Sequence, residues 1–398
     1  MNFLGIIAFV LALLISVMIH EAGHFFTARH YGMKVTEFFL GFGRRLWSFR
    51  KGETEFGIKA IPAGGYCRIV GMSVHEPLTE AEKPRAFYIA SAPKRLVVLG
   101  AGSFLHFVLG FLILVGLLAG VGTTAVTTTV SQVSPCLTPS NTKTMVCVAS
   151  DTPSPALGAG IKPGDEIISI NTQEIKQWSE AVQKIRSSAN RTLLITVKRS
   201  GELIHFRITP EEHTINGQKM GQIGVINKVG NKRQSPLDAI IHSADITRQL
   251  LKSSVTSLIS LPTKVVPLVR QTFGTEKRDA QGLVGVVGVA RVSGQTVSDP
   301  HLAGSEKIAT FMLIVASLNI FVGVFNLLPL LPLDGGHMAV AIADGVRNLW
   351  AKRRGKAKPA PIDVEKLTPI TIVVFVLLAA LSLLLLAADI FNPVQLNL

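Results

Sequence analysis

The chain has 398 residues, 48% of them hydrophobic, with forty Lys and Arg against twenty-six Asp and Glu, and a mean hydropathy of +0.41. At 17% charged, against about 25% in soluble domains, it is too apolar to be disordered and too sparsely charged to present the broad basic surface of a nucleic-acid binder, so no nucleic-acid partner is expected. These values point to a membrane protein, in which a net charge of +14 reports the orientation of loops.

Four stretches reach the roughly 17 to 25 apolar residues needed to cross a bilayer. The first is residues 3–19. No Lys or Arg precedes it, and a His-Glu pair follows where a small-residue cleavage site would stand, so it is expected to be a retained span.

At its end lies His20-Glu21-Ala22-Gly23-His24. On a helix, positions i and i+4 share a face, so His20 and His24 present two imidazole nitrogens to one zinc ion, with Glu21 beside them as general acid and base. A helix starting near Phe3 carries His20 about 25 Å along its axis, inside a hydrocarbon core about 30 Å thick. Three ionisable groups at that depth mark a functional site.

Residues 25–95 hold twelve Lys and Arg. Within them, residues 56–72 alternate apolar and polar side chains around Pro62-Ala-Gly-Gly65, which predicts a β-hairpin with its turn there. The second span, 96–121, is interrupted by His106, to which the sequence assigns no role.

The segment 123–306 holds twenty Lys and Arg in 184 residues. Cys136 and Cys147, with ten residues between them in a stretch rich in Thr, Ser and Pro, read as a disulfide loop, and Cys67 as a free thiol. Turn residues at 162–165 precede an apolar strand at 167–171. A helical pattern follows over 178–185, then strands at 193–197 and 203–208. Between about 130 and 210 this pattern resembles a PDZ domain of the bacterial protease type, which holds an extended peptide or a chain terminus by adding it to a sheet edge. From 211 to 306 the signal is weaker: residues 237–261 predict an amphipathic helix broken at Pro262, and the remainder reads as membrane-surface connector.

The third span, 308–331, carries Asn319 and Asn326 and runs into Leu333-Asp334-Gly335-Gly336-His337. A catalytic zinc needs a third protein ligand. Asp334 supplies it, because it lies at the end of a span, whereas Asp344 and Asp363 are farther along the loop. His337 is expected to pack or to support the centre. The loop 333–366 has seven Lys and Arg, and the last span is 370–388. The two short basic loops set the orientation, so both should be cytoplasmic, with the amino terminus, residues 123–306 and the carboxyl terminus outside. His20, His24 and Asp334 then lie on one side of the membrane.

Together, the His-Glu-x-x-His run in the first span, Leu-Asp-Gly after the third and a PDZ-like module between spans two and three resemble the site-2 protease family of intramembrane zinc metalloproteases. The resemblance is nearest to the bacterial regulator of sigma-E protease group in its actinobacterial single-PDZ form. It implies a polytopic α-helical membrane protein with a membrane-associated β-hairpin and one α+β PDZ-like extracytoplasmic domain. The expected division is 1–122 for the first half of the membrane core, 123–212 for the PDZ-like domain, 213–306 for a connector and 307–398 for the second half of the core. The resemblance further implies one Zn2+ per chain on His20, His24 and Asp334, catalysis by Glu21, and contact with substrate by Asn326 and by Gly64 and Gly65 of the hairpin, whose edge pairs with an unwound substrate. Where the family usually shows Gly-Pro-x-x-Asn-Phe, this chain has Gly102-Ser-Phe-Leu-His-Phe107, so that motif's role does not transfer to His106.

The implied partners are membrane lipid and single-span membrane proteins such as anti-sigma factors, trimmed outside by another protease and then cut within the membrane. Clearance of remnant signal peptides fits the same residues. A silent PDZ scaffold has no need of Glu21 between two ligands, and a metal transporter is disfavoured by the single metal site without an inverted repeat.

Overall fold

A computed structural model describes residues 3–137, 147, 151–215, 218–274, 276, 278, 279, 282–299 and 302–393. The chain divides into two units, residues 1–121 with 234–398, and residues 122–233.

The first unit opens with α1 (Phe3–His30), one continuous helix that carries the apolar run straight through the His-Glu-x-x-His motif. A long strand β1 (Val35–Lys51) and its partner β2 (Thr54–Ile69) follow. Here the structure corrects the expected hairpin. Residues 54–69 do not fold back on themselves around 62–65. Instead, residues 35–40 of β1 lie between 55–58 and 65–69 of β2, and 45–51 pair with 54–59 on the far side. The result is a sheet of four short segments whose edge is 65–69. Its sequence signal was weak because Phe38-Phe39-Leu40 and the glycines at 41 and 43 break the alternation that marks a strand. Helix α2 (Ala92–Gly116) starts behind Ser91 with Pro93 in its first turn and continues through 117–121 as a π-turn.

The second unit contains β3 (Thr123–Val133), β4 (Cys136–Leu137), β5 (Thr152–Pro153), α3 (Pro155–Ala159), β6 (Glu166–Ile170), β7 (Gln173–Glu174), α4 (Trp178–Arg186), β8 (Leu193–Arg199), β9 (Glu202–Ile208), β10 (Glu211–Ile215), β11 (Gln218–Gln222) and β12 (Val225–Lys232). The main sheet runs β12-β3-β6-β8-β9, with β7 on β6, over a core that includes Val130, Ile161, Ile167, Ile195 and Ile208. Cys136 and Cys147 form the expected disulfide, and 138–146 lie outside the described residues. Asp165 is fully buried and takes hydrogen bonds from Arg199 (2.6 and 2.7 Å) and the Lys162 N–H (2.8 Å). Burial pushes its carboxyl up, but the guanidinium and the amide outweigh that and hold it below the usual range. Strands β10 to β12 belong to this unit, so its boundary falls at 233, beyond the 212 expected from sequence.

Back in the first unit, the stretch expected to be connector is mostly helical: α5 (Pro236–Ile259), α6 (Leu261–Phe273) and α7 (Val286–Ser298). Pro262 ends up in the first turn of α6, where its missing N–H leaves no bond unmade. Helix α8 (Gly304–Asn326) stops five residues short of the expected Leu331, because Pro329 and Pro332 end it although the apolar run continues. Helix α9 (Asp334–Arg353) then begins at Asp334, and α10 (Thr368–Phe391) closes the chain. Four helical segments, Phe3–His30, Ala92–Val121, Gly304–Asn326 and Val364–Phe391, are long and apolar enough to cross a membrane.

Candidate metal centre

His20 and His24 lie one turn apart on α1 and are both buried, and Asp334 is the first residue of α9. The Nε2 atoms of the two histidines are 3.1 Å apart, and Asp334 Oδ2 is 3.2 Å from the first and 3.4 Å from the second. Three donors at the corners of a tetrahedron with metal bonds of about 2.0–2.1 Å stand about 3.3–3.4 Å apart. Two imidazoles and a carboxylate are also a zinc donor set, and the three residues form one metal-competent group.

The backbone of α2 seats the ligands. His24 Nδ1 donates to the carbonyl of Val98 at 2.8 Å, which leaves its Nε2 free to ligate. Gly102 is required beneath both rings: a Cβ there would lie 2.6 Å from His20 Nδ1 and 2.7 Å from His24 Nε2. Gly23 meets the same helix, its imagined Cβ 2.8 Å from the Ala101 carbonyl. At the other ligand, a Cβ on Gly335 would lie 2.3 Å from the Leu327 and Leu328 carbonyls, so the glycine after Asp334 lets α9 start tight against the turn that ends α8. Val98 is a contributor that sequence reasoning missed, and Gly102 and Gly335, quoted there as parts of motifs, gain their steric role only in the structure. A glycine followed by three more helix-forming residues inside an apolar span is the faint signal for Gly102.

Glu21 points toward the sheet edge. A Cβ on Gly65 would lie 3.2 Å from its Cγ. Strand segment 65–69 therefore runs alongside the candidate base. Gly64 sits one residue earlier at φ +141°, a backbone open chiefly to glycine, against the Phe42 ring. Cys67 is a free thiol, pushed up by burial and then by the charge of Glu21. Asn326 ends α8 half-buried and lies outside the three-residue ligand group, as does His337 in the first turn of α9.

The family model for Peptidase family M50 matches residues 8–364. The chain belongs to that family. It is also 37% identical to the zinc metalloprotease Rip1 of Mycobacterium tuberculosis and 35% identical to Rip1 of Mycolicibacterium smegmatis, with 98% of each chain covered in both cases. A putative zinc metalloprotease of Clostridium acetobutylicum is 26% identical over 99% of this chain and 100% of that one. This M50 peptidase is thus a multi-pass membrane zinc metalloprotease, and the donor chemistry and spacing of His20, His24 and Asp334 fit the ion the family uses.

Proposed function

We propose that the protein is an intramembrane endopeptidase in which His20, His24 and Asp334 hold one zinc ion and Glu21 is the acid and base. The observation that carries this reading is the convergence of two Nε2 atoms and one carboxylate oxygen to within 3.1–3.4 Å at the end of an apolar helix, with a glutamate one residue away. A zinc ion held there supplies Lewis acidity for the attack of water on an amide. Glu21 takes a proton from the attacking water and returns it to the leaving amine.

A transmembrane substrate must unwind before its amide is accessible. The edge of β2 at 65–69 offers backbone partners to an extended chain next to Glu21, with Gly64 and Gly65 removing side chains from its approach and Asn326 contacting the substrate backbone. The substrate class is single-span membrane proteins of the anti-sigma type, with remnant signal peptides as a second source of the same short helices.

Residues 122–233 act as the PDZ-like module and lie outside the cytoplasm, along with the amino terminus. Support comes from a groove of about 880 Å³ between β3 and α4, lined by Ala125, Val126, Trp178, Val182, Gln183 and Arg186. On this side β3 pairs with β6 at Thr129 and bonds Gly164 and Asp165 through Val130, and an added strand would pair beyond these residues. Such a module reads a newly trimmed terminus.

The test compares wild type with Glu21→Gln on a membrane-embedded peptide, with zinc measured on both. Retained zinc with cleavage reduced at least about 1,000-fold is expected. Normal turnover by the Gln variant would sink the assignment.

A further inference from the structure

His106, on α2, is buried, and its ring centroid lies 5.0 Å from that of His20 with the planes tilted by 40°. Its Nδ1 is 2.8 Å from Oδ1 of Asn319 on α8. The orientation of that amide is fixed independently, because the Asn319 Nδ2 donates to the Val315 carbonyl at 2.8 Å and a carbonyl oxygen only accepts. The oxygen therefore faces His106, so the hydrogen of His106 sits on Nδ1 and its Nε2 carries a bare lone pair.

The two ligand histidines have the complementary need. Both turn Nε2 toward Asp334, so when they hold a metal each carries its hydrogen on Nδ1. His24 passes this hydrogen to Val98, whereas His20 Nδ1 is buried without a partner. Metal-bound imidazoles almost always donate their second N–H, since that bond fixes ring orientation and raises basicity. The centroid separation of 5.0 Å puts the two rings side by side; as they stand no hydrogen bond joins them, and a small rotation of the imidazoles is needed to make it. Gly102 is closed against His20, and a Cβ on Gly323 of α8 would lie 3.2 Å from His106 Cβ.

We propose that His106 is a positioning residue for the metal centre, accepting the Nδ1 hydrogen of His20 on its Nε2 while Asn319 holds it in the tautomer that can accept. The inference rests on the assignment of His20, His24 and Asp334 as ligands. The hydroxyl of Ser103, next to Gly102 on α2, is also buried without a hydrogen bond among the described residues and serves as a control.

The experiment measures zinc affinity of the full-length chain in lipid nanodiscs by chelator competition, with the d–d spectrum of the cobalt-substituted protein as a second readout. His106→Leu removes the acceptor, His106→Gln keeps an amide oxygen near the Nε2 position, Asn319→Leu frees the tautomer and Ser103→Ala is the hydroxyl control. Expected are a 10- to 100-fold loss of zinc affinity and a shifted cobalt spectrum for His106→Leu. Recovery to within a few-fold is expected for His106→Gln, with an intermediate loss for Asn319→Leu and no change for Ser103→Ala. Unfolding midpoints of the metal-free proteins should coincide. Unchanged affinity for His106→Leu, or a loss for Ser103→Ala that matches it, overturns the proposal. If His106→Leu fails to fold, Asn319→Leu decides by the same criterion. His20→Ala serves as the control: one zinc retained on that variant would defeat the ligand assignment itself, separately from the role of His106.

Discussion

Two of the buried clusters of ionisable groups in the first unit differ in how far their capacity is used. Near the end of α10, Asp389 and Arg278 form an ion pair at 3.0 Å, with both side chains 1% exposed. The carboxylate also accepts the Gly288 N–H at 2.7 Å and the Gly285 N–H at 3.4 Å, and the guanidinium reaches the carbonyls of Leu283 and Asn392. Both carboxylate oxygens of Asp389 are engaged by the protein, although Arg278 Nε has no partner among the described residues. At the candidate metal centre, two imidazoles and a carboxylate turn their nitrogen and oxygen atoms toward one point. Charge that closes on itself is structural. Charge that converges on a point outside itself is a site, and this distinction separates the two clusters better than depth or hydropathy.

Breaking the Arg278–Asp389 pair should have the larger effect on stability. Arg278→Met or Asp389→Leu alone is expected to destabilise the protein by about 3–5 kcal/mol, because each leaves one buried charge unpaired, and the double variant by clearly less. Detergent-solubilised unfolding of the four proteins checks this, and additive single effects would show that the pair is not a unit. Zinc content should be unchanged throughout, which would confine the pair to structure.

The convergent cluster is sensitive instead to small steric changes. Gly102→Ala puts a methyl group 2.5 Å from His20 Cε1, and should lower zinc affinity by about tenfold to a hundredfold, or about 1–3 kcal/mol, with little change in the metal-free fold. Chelator competition measures the first and circular dichroism the second. Zinc binding as tight as wild type would mean the rings have room that the close approach denies them.

A third, exposed pair sharpens the contrast. His75 Nε2 meets Asp363 Oδ2 at 3.0 Å, and Ser73 meets Glu365 at 2.5 Å. The hydrogen bond to Asp363, aided by its charge, raises His75 above its ordinary value. A raised folded value means that the contact's contribution is complete below about pH 6.5 and is lost as pH rises through the higher folded value. Hydrogen exchange at 72–77 and 361–366 should therefore accelerate between pH 6 and 8.5 beyond the intrinsic rate, and His75→Gln should remove that pH dependence. As a solvent-screened pair it is the weakest of the three.

The sequence revealed these clusters unevenly, for physical reasons. His20, Glu21 and His24 were legible because their spacing is local to one helix, and Asp334 because ligand number and loop charge converged on it. The disulfide between Cys136 and Cys147 was legible from spacing and composition. The Arg278–Asp389 pair was not, since its members are 111 residues apart and neither belongs to a recognisable spacing. Gly102 and His106 gained meaning only when α1 and α8 were seen packed against α2. The end of α8 was misjudged because hydropathy persists through Leu327, Leu328, Leu330 and Leu331 while the prolines between them forbid a helix. The partner strand at 35–51 was hidden by its paired glycines and consecutive aromatic residues.

The glycine contacts between α1 and α2 also bear on entropy. With Gly23 against the Ala101 carbonyl and Gly102 beneath both rings, the ligand imidazoles are held by backbone, which has no rotamers to exchange. His20 and His24 thus surrender little side-chain freedom when a metal arrives, having surrendered it when the helices packed. The ordering of the two imidazoles is largely completed when α1 packs on α2, while Asp334 is brought in by α9, so the affinity of the candidate centre depends on both contacts.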